Sequence, residues 1–386
     1  MARASSISTP VGPAGAVTKR SRHRVVIVGS GFAGIGAAIE LLRSGESDFV
    51  VLERADDLGG TWRDNTYPGC RCDVQSNLYS FSFAPNPDWS DTFPAQGEIW
   101  EYLRGTARRF GVMPFLRFGH EMTDSTWDDA AQRWIVTTTA GTFEAQFLLL
   151  ATGFLVEPKV PDITGIDSFS GAIMHSARWD SSHDLAGEHV AVIGTGASSI
   201  QIVPSIQPVV ASVTVFQRTA GWVVPHTSRP VREAEQRLFR HLPIAQRASR
   251  MLVYWLRELL VLSFVKRPER MSRGERLALE HLESQVPDPE MRRKLTPGYK
   301  MGCKRILPSN DFYPALSADN AHLVTESITK ITPDAIVTSD GVAHLADTIV
   351  LGTGFHVTDS PVLGLVHGNG GETLASSSDL SRHHVI

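Results

Sequence analysis

Two glycine-rich clusters are the residues of this chain whose types and spacing most plainly suit chemistry: Gly29-Ser-Gly31-Phe-Ala-Gly34 and Gly194-Thr-Gly196-Ala-Ser198-Ser199. Each follows at once on a short apolar, β-branched run, Arg24-Val-Val-Ile-Val in the first case and His189-Val-Ala-Val-Ile in the second. Such a run reads as a buried parallel strand, and the alanine-rich stretch to about Leu42 reads as the helix after the first turn. In a strand–turn–helix of this spacing the first glycine makes the tight turn and the second lets backbone approach a pyrophosphate. The third lets helix and strand pack closely. Unpaired N–H groups at the helix start then face the phosphates. In the second cluster Ser199 takes the third glycine's place and is small enough for the same packing.

The residue ending the next strand separates the two ligands. After the first cluster, the strand Phe49 to Leu52 ends in Glu53, nineteen residues past Gly34. A carboxylate there accepts from a ribose 2′-hydroxyl and repels a 2′-phosphate, which suits FAD or NAD. After the second, the strand Ser212 to Phe216 ends in Gln217-Arg218-Thr219, with no acid. Arg218 is placed to pair with a 2′-phosphate through a charge-assisted fork. FAD at the first site and NADPH at the second is the simplest assignment.

These loops need an α/β framework. Phe147-Leu-Leu-Leu-Ala-Thr-Gly153 and Thr348-Ile-Val-Leu-Gly-Thr-Gly354 are two further apolar strands ending in a small-residue turn. Strands of this kind carry the chain from one nucleotide domain to the other and back. The expected fold is therefore two nested three-layer Rossmann-like dinucleotide-binding domains with a helical insertion. An FAD-binding domain is expected at 22–157 and 346–386, and an NADPH-binding domain at 158–226 and 304–345. The insertion, 227–303, is rich in Arg, Glu and Leu at helical spacing, with its most apolar stretch at 251–264. That stretch reads as a buried helix lining an apolar pocket, with shallow membrane contact the weaker alternative; it is shorter than the roughly 20 apolar residues of a membrane span. Asp347 is expected to orient a turn or cap a helix. Residues 1–21 read as a disordered tail with no secretory signal.

Composition narrows the function classes. The 386 residues exceed one ordinary core, and 42% hydrophobic with 20% charged residues is a globular balance. A net charge of -4 gives no general attraction to nucleic acid. Three cysteines make no disulfide framework. Cys70-Arg-Cys72 lacks the two-residue spacing of a dithiol reductase, and no histidine cluster points to a metal. A reducing, cytoplasmic setting is expected.

The connection between the two domains reads Phe169-Ser-Gly171-Ala-Ile-Met-His175-Ser-Ala-Arg-Trp179-Asp180. It resembles the fingerprint of Baeyer–Villiger monooxygenases at every fixed position, F-x-G-x-x-x-H-x-x-x-W followed by P or D. The resemblance runs from about 22 to about 374. It also takes in Gly59-Gly60-Thr61-Trp62, Tyr67-Pro-Gly-Cys-Arg-Cys-Asp73, Gln217-Arg218-Thr219 and Gly302-Cys-Lys304-Arg305. It implies an enzyme in which NADPH reduces FAD, the reduced flavin captures O2 as a peroxide, and a small apolar ketone becomes an ester or lactone. Arg305 then matches an active-site arginine that stabilises developing negative charge, and Asp73 the acid that orients it. Lys304 and Arg218 match paired cations on the 2′-phosphate, with Thr219 a further donor. Gly60, Thr61, Trp62 and Tyr79 match positions near the flavin, with core packing the other reading for the two aromatics. His175 is expected to act in structure or domain motion more than in acid–base work.

Family members continue past the second Thr-Gly turn with a strand, a flavin-touching loop and a closing helix. Here the pattern is followed through Gly368-Asn-Gly-Gly-Glu-Thr-Leu374, after which the sequence departs from it. The sequence reading therefore expects an incomplete C-terminal part of the FAD-binding domain, exposed apolar surface and impaired coupling. Two alternatives stand beside the ketone reading: an N- or S-oxygenating flavin monooxygenase, and a catalytically impaired nucleotide-binding protein. No stable membrane span and no nucleic-acid partner are expected.

Overall fold

A computed structural model describes residues 20–266, 271–357 and 360–376; most of the expected N-terminal tail lies outside them. Two predominantly parallel sheets carry the two glycine loops. The first is built from β1 (Ser21–Val28), β2 (Phe49–Leu52), β3 (Leu116–Arg117), β4 (Met122–Asp128), β5 (Arg133–Thr138) and β6 (Gly141–Leu150). The second uses β7 (Ala172–His175), β8 (His189–Ile193) and β9 (Ser212–Phe216). The short β10 (Val223–Val224) and β11 (Leu307–Pro308) pair with each other, and β12 (Ala321–Val324) returns to the second sheet. Next come β13 (Ile328–Ile331), β14 (Ala335–Thr338), β15 (Ala343–Leu345), β16 (Thr348–Leu351) and β17 (Val366–His367). Strand order is β17-β4-β5-β6-β1-β2-β3 in the first sheet and β12-β9-β8-β16-β7 in the second.

The sequence explains why these strands lie centrally. Val25 and Ile27 of β1 enter one core cluster while Val26 and Val28 enter another, as period-two alternation requires of a strand buried on both faces. In β8 the same alternation sends Val190 and Val192 to one side and Ala191 and Ile193 to the other. One face of the first sheet is covered by α1 (Phe32–Arg43), with the short α2 (Thr61–Asp64) and α3 (Gln96–Arg109) beside it. Ile99, Leu103 and Ala107 of α3 are fully buried at helical spacing. On the second sheet α4 (Ser199–Ile206) covers one face, and the antiparallel β13–β14–β15 meander covers the other through Ile331 and Ile336. That meander is absent from the sequence reading, because its three- and four-residue strands are too short to show a period.

Placement differs from the sequence reading at four points. Ser21 belongs to β1, paired with Phe143, so the strand begins inside the expected tail. β16 sits in the second sheet between β8 and β7, so the chain returns to the first sheet only later, through β17 against β4. Asp347 neither orients a glycine turn nor caps a helix; its Oδ2 accepts the His189 backbone N–H at 2.8 Å and locks the start of β8 to that of β16. The insertion is helical: α5 (Glu233–His241), α6 (Pro243–Lys266), α7 (Met271–Gln285) and α8 (Pro289–Leu295), followed by α9 (Phe312–Leu316) on the second sheet. The apolar stretch within α6 is not the buried helix expected, since Leu252, Trp255 and Leu256 are more than half exposed. The inner face of that helix is polar, and its arginines take the protein contacts that apolar side chains take in an ordinary helix. Phe147 and Leu149 of β6 are likewise exposed.

Candidate active site

β1 ends at Val28 and the chain turns at Gly29, whose φ of +102° favours glycine. A Cβ there would lie 2.5 Å from the Ala151 carbonyl, and one on Gly34 would lie 1.9 Å from the Gly29 carbonyl. Both glycines are therefore required by the protein itself. Gly31 is different, since a Cβ there meets nothing nearer than Gly60 Cα at 3.8 Å. It borders a cavity of ≈ 460 Å³ lined also by Gly29, Phe32, Glu53, Gly60, Thr61, Trp62 and Tyr79. That volume is typical of a small-molecule site.

Glu53 is buried and already engaged. It accepts from the Ser30 N–H at 3.0 Å and hydroxyl at 2.6 Å, and from the Ala55 N–H at 3.1 Å. Arg63 pairs with it at 2.9 Å. Burial raises the carboxyl's pKa, but the Ser30 hydroxyl, the Arg63 charge and the Ala55 N–H outweigh it and hold the group below its ordinary value. Glu53 is therefore a fixed anion at the strand end. Arg63, which the sequence reading missed, keeps it so. Trp62 Nε1 donates to the Tyr79 hydroxyl at 2.9 Å, and the Tyr79 ring stands edge-on to Phe32 and Trp62. Burial first, with Cys72 adding to it, pushes the Tyr79 phenol up to about 12, so this wall of the cavity is neutral.

The second loop repeats the design with one change. Gly194 has φ +106° and a Cβ there would lie 2.5 Å from the Gly352 carbonyl, whereas at Gly196 the nearest atom is 4.0 Å away. Helix α4 starts at Ser199, which aligns with Gly34, while α1 starts two residues before Gly34. The Ser199 side chain is accommodated by Gly352, where a Cβ would stand 2.0 Å from the serine oxygen. The cavity at this loop is ≈ 710 Å³ and is lined by Gly194, Gly196, Arg218, Thr219, Lys304 and Arg305. Lys304 Nζ lies 4.9 Å from the Tyr299 ring centroid, and neither Arg218 nor Lys304 has an ion pair among the described residues. Tyr299, Lys159 and Glu326 also line this cavity, and the sequence reading missed all three. Ser198 does not line it; it is the residue before α4.

Asp73 and Arg305, 232 residues apart, form an ion pair in which Arg305 Nε donates to Asp73 Oδ2 at 3.0 Å and Nη2 donates to the same oxygen. The loop carrying Asp73 is clamped onto α4. Tyr67 donates to Gln201 Oε1 at 3.0 Å, Gln201 Nε2 donates to the Arg71 carbonyl at 3.1 Å, and Gly69 packs so tightly that a Cβ would lie 2.6 Å from the Gln201 carbonyl. From α6, Arg257 donates to Gln75 Oε1 at 2.8 Å and to the Asp73 carbonyl at 3.4 Å. The pair is thus held from α4 and from the insertion, with Arg305 on the wall of the second cavity.

The fingerprint residues lie on the seam of the second sheet. Phe169 packs in the core under β13 and β14, and a Cβ on Gly171 would lie 2.0 Å from the Asp347 carbonyl. His175 is buried. Its Nδ1 accepts the Ala177 N–H at 3.1 Å, which leaves Nε2 to donate to the Gly354 carbonyl at 3.0 Å. Burial lowers its pKa, the Gly354 carbonyl opposes that and Arg178 adds to it, giving a neutral imidazole that ties β7 to the second Thr-Gly turn. Trp179 packs against the core, and Asp180 accepts the Ser182 N–H and hydroxyl, ending that strand connection.

Burial raises the thiols of Cys70 to about 11 and Cys72 to about 12, so neither is a ready thiolate. No cluster of metal-ligating residues occurs among the described residues.

A family model described as pyridine nucleotide-disulphide oxidoreductase matches residues 26–243. A Baeyer–Villiger monooxygenase of Streptomyces coelicolor is 51% identical over 354 residues, covering 92% of this chain and 68% of that protein. One of Pseudomonas aeruginosa is 42% identical over 377 residues, covering 97% of this chain and 71% of that protein. Among solved structures, oxidised steroid monooxygenase bound to NADP superposes with a TM-score of 0.81 at 31% identity, over 92% of this chain and 75% of that one. ε-Caprolactone-bound cyclohexanone monooxygenase gives 0.81 at 28%, over 92% and 77%. With both glycine loops, the fingerprint strand and the Asp73–Arg305 pair in place, the chain belongs to the Baeyer–Villiger monooxygenase family of flavin-dependent monooxygenases.

Proposed function

We propose that this chain holds FAD in the first cavity and NADPH in the second and inserts one oxygen atom of O2 beside the carbonyl of a small apolar ketone, giving an ester or lactone. The observation that carries the cofactor reading is the pair of middle glycines. Gly31 and Gly196 have room for a side chain as far as the protein is concerned, and a side chain there would enter the space a pyrophosphate needs. The α1 and α4 N-termini direct N–H groups to those spaces. Glu53 accepts from a ribose hydroxyl, while Arg218, Lys304 and Thr219 hold a 2′-phosphate. Bound FAD, reduced by two electrons from NADPH, would supply the activation of O2, one atom of which goes to the substrate while the other leaves as water.

The chain's own contribution at the reacting centre is charge and position. Arg305 is a fixed cation, oriented by Asp73 and the Gln201 clamp, and stabilises negative charge developing on the substrate carbonyl oxygen. A guanidinium stays protonated, so Asp73 acts as its geometric partner and not its base. Gly60, Thr61, Trp62 and Tyr79 shape the neutral wall of the first cavity. His175 positions the second Thr-Gly turn through Gly354.

The finer architecture belongs to the same reading: two nested three-layer nucleotide-binding units, 22–157 with the segment after β16, and 158–226 with 304–351, carrying the 227–303 insertion. Three free cysteines, two of them with raised pKa, suit a reducing cytoplasm. Product analysis tests the reaction. With NADPH, a cyclic ketone and a dialkyl sulfide offered separately, lactone formation supports the reading. Sulfoxide with no lactone across a ketone panel points instead to a soft-nucleophile oxygenase.

A further inference from the structure

Helix α6 is amphipathic with its polarity reversed. The residues it turns inward include Gln246, Ser249, Arg250 and Arg257, with Val253 among them, and these four polar side chains hydrogen-bond the 73–86 loop. Gln246 Nε2 donates to the Asn86 carbonyl at 2.5 Å, and Arg250 Nη1 donates to the carbonyls of Asn77 at 2.9 Å and Leu78 at 3.0 Å. The residues it turns outward include Met251, Leu252, Trp255, Leu256, Leu259 and Val261, each between 48% and 62% exposed. A surface helix ordinarily buries such a stripe, and a contiguous exposed one marks an interaction surface.

The charge around the stripe identifies what covers it. Residues 232–247 carry four arginines against two glutamates, and 271–276 carry two arginines against one glutamate. Between them, 248–265 contains one acid, the half-buried Glu258. An uncharged face with tryptophan and leucine, flanked at both ends by basic segments, is the pattern of a helix lying in a membrane interface. No described helix is long and apolar enough to cross a membrane, so this one lies on the surface. A second copy of the chain is a poorer occupant, because parallel and antiparallel pairing of two such faces both set basic end against basic end.

We propose that α6 docks this protein on bilayers containing anionic lipid, with Trp255 and Leu256 at the acyl boundary and the basic flanks among the headgroups. The inner face of α6 holds the Asp73 carbonyl through Arg257, so docking sets that loop about one helix diameter, ~10 Å, from the lipid. The proposal stands on the helix alone and does not depend on the reaction catalysed.

The test is cosedimentation of the purified full chain with phosphatidylcholine vesicles, with and without phosphatidylglycerol, beside sedimentation velocity without lipid. The wild type is expected to be monomeric in solution and to pellet with the mixed vesicles. Binding should fall at least tenfold with phosphatidylcholine alone, and at least tenfold in a Leu252→Gln, Trp255→Gln, Leu256→Gln variant whose melting is unchanged. A second readout guards against a variant that fails to fold. The emission difference between wild type and Trp255→Phe should shift to the blue on mixed vesicles. Absence of wild-type binding, binding that the triple variant retains, absence of the blue shift, or a lipid-free dimer that the triple variant separates would each overturn the proposal.

Discussion

Replacing Arg218 by alanine should weaken NADPH binding selectively and leave NADH binding nearly unchanged. Arg218 and Lys304 line the second cavity with no acidic partner among the described residues, so neither has a protein anion to fall back on. A hydrogen bond to a charged group contributes about 1.5–3 kcal/mol net, so losing the Arg218 fork should raise the NADPH dissociation constant by roughly 10- to 150-fold. Lys304 remains as a point charge near Tyr299, so the Arg218→Ala, Lys304→Ala double variant should lose further affinity, though less than the product of the single effects. NADH lacks the phosphate and should bind wild type and variants within about twofold, well below the tenfold of 1.4 kcal/mol. Titration of each nucleotide into the protein, followed by quenching of tryptophan emission or by calorimetry, reads both constants. The wild-type preference should also shrink as salt rises, because the cavity is open to screening. An Arg218→Ala protein that keeps the wild-type ratio of NADPH to NADH affinity would refute the assignment of this cavity to a 2′-phosphate.

Arg305→Ala should lower turnover about 10²- to 10³-fold, the usual loss on removing a preorganised oxyanion donor. Asp73→Ala should cost less, and the double variant no more than Arg305→Ala, which a steady-state double-mutant cycle reads directly. Glu53→Gln should lower FAD retention and destabilise the fold by about 1–3 kcal/mol, short of the roughly 3–5 of a severed buried pair because Arg63 keeps Asp64 at 2.7 Å. Released flavin and urea unfolding measure these. The Glu53 pKa is depressed in the fold, so its contribution is present above the ordinary carboxylate range and is lost as pH falls through and below it, and the Gln variant should lack that acid-sensitive component. His175 is depressed too, chiefly by burial. The folded state binds its proton more weakly than the unfolded chain, so stability is full above about pH 6.5 and declines below it. His226 is depressed as well, so the readout is the flatter slope of His175→Gln against wild type between about pH 7.5 and 5.5. Gly171→Ala should destabilise by about 1–3 kcal/mol, since its Cβ meets the Asp347 backbone and no flexible side chain can yield.

What could be read from the sequence divides by the range of the interaction involved. The glycine loops, Glu53 and Arg218 were legible because strand, turn and helix are local and the ligand's phosphates dictate the spacing. Asp73 and Arg305 became meaningful through family resemblance, since nothing in a lone aspartate or a Lys-Arg pair announces a partner 232 residues away. Arg63, Gln201, Gly69 and Arg257 went unread for the same reason; each acts through a contact between elements whose packing the sequence pattern does not encode. Gly69 left a readable trace, a glycine in the Tyr67–Asp73 run, but its role against α4 is visible only in three dimensions. Ser199 in place of a third glycine was legible as tolerable, while the compensation by Gly352 was not. Helix α6 is legible as apolar and helical, but of the two readings its sequence allows, burial and shallow membrane contact, burial fails because arginines hold the inner face.

Binding of FAD in the first cavity and NADPH in the second can be read from the visible spectrum of the purified chain under anaerobic NADPH. One FAD should be released per chain, and NADPH should bleach the flavin band faster than NADH does, with Arg218→Ala slowing the bleaching by NADPH. A chain that takes up no FAD when supplied in excess, or whose bound flavin is reduced no faster by NADPH than by NADH, would contradict this assignment.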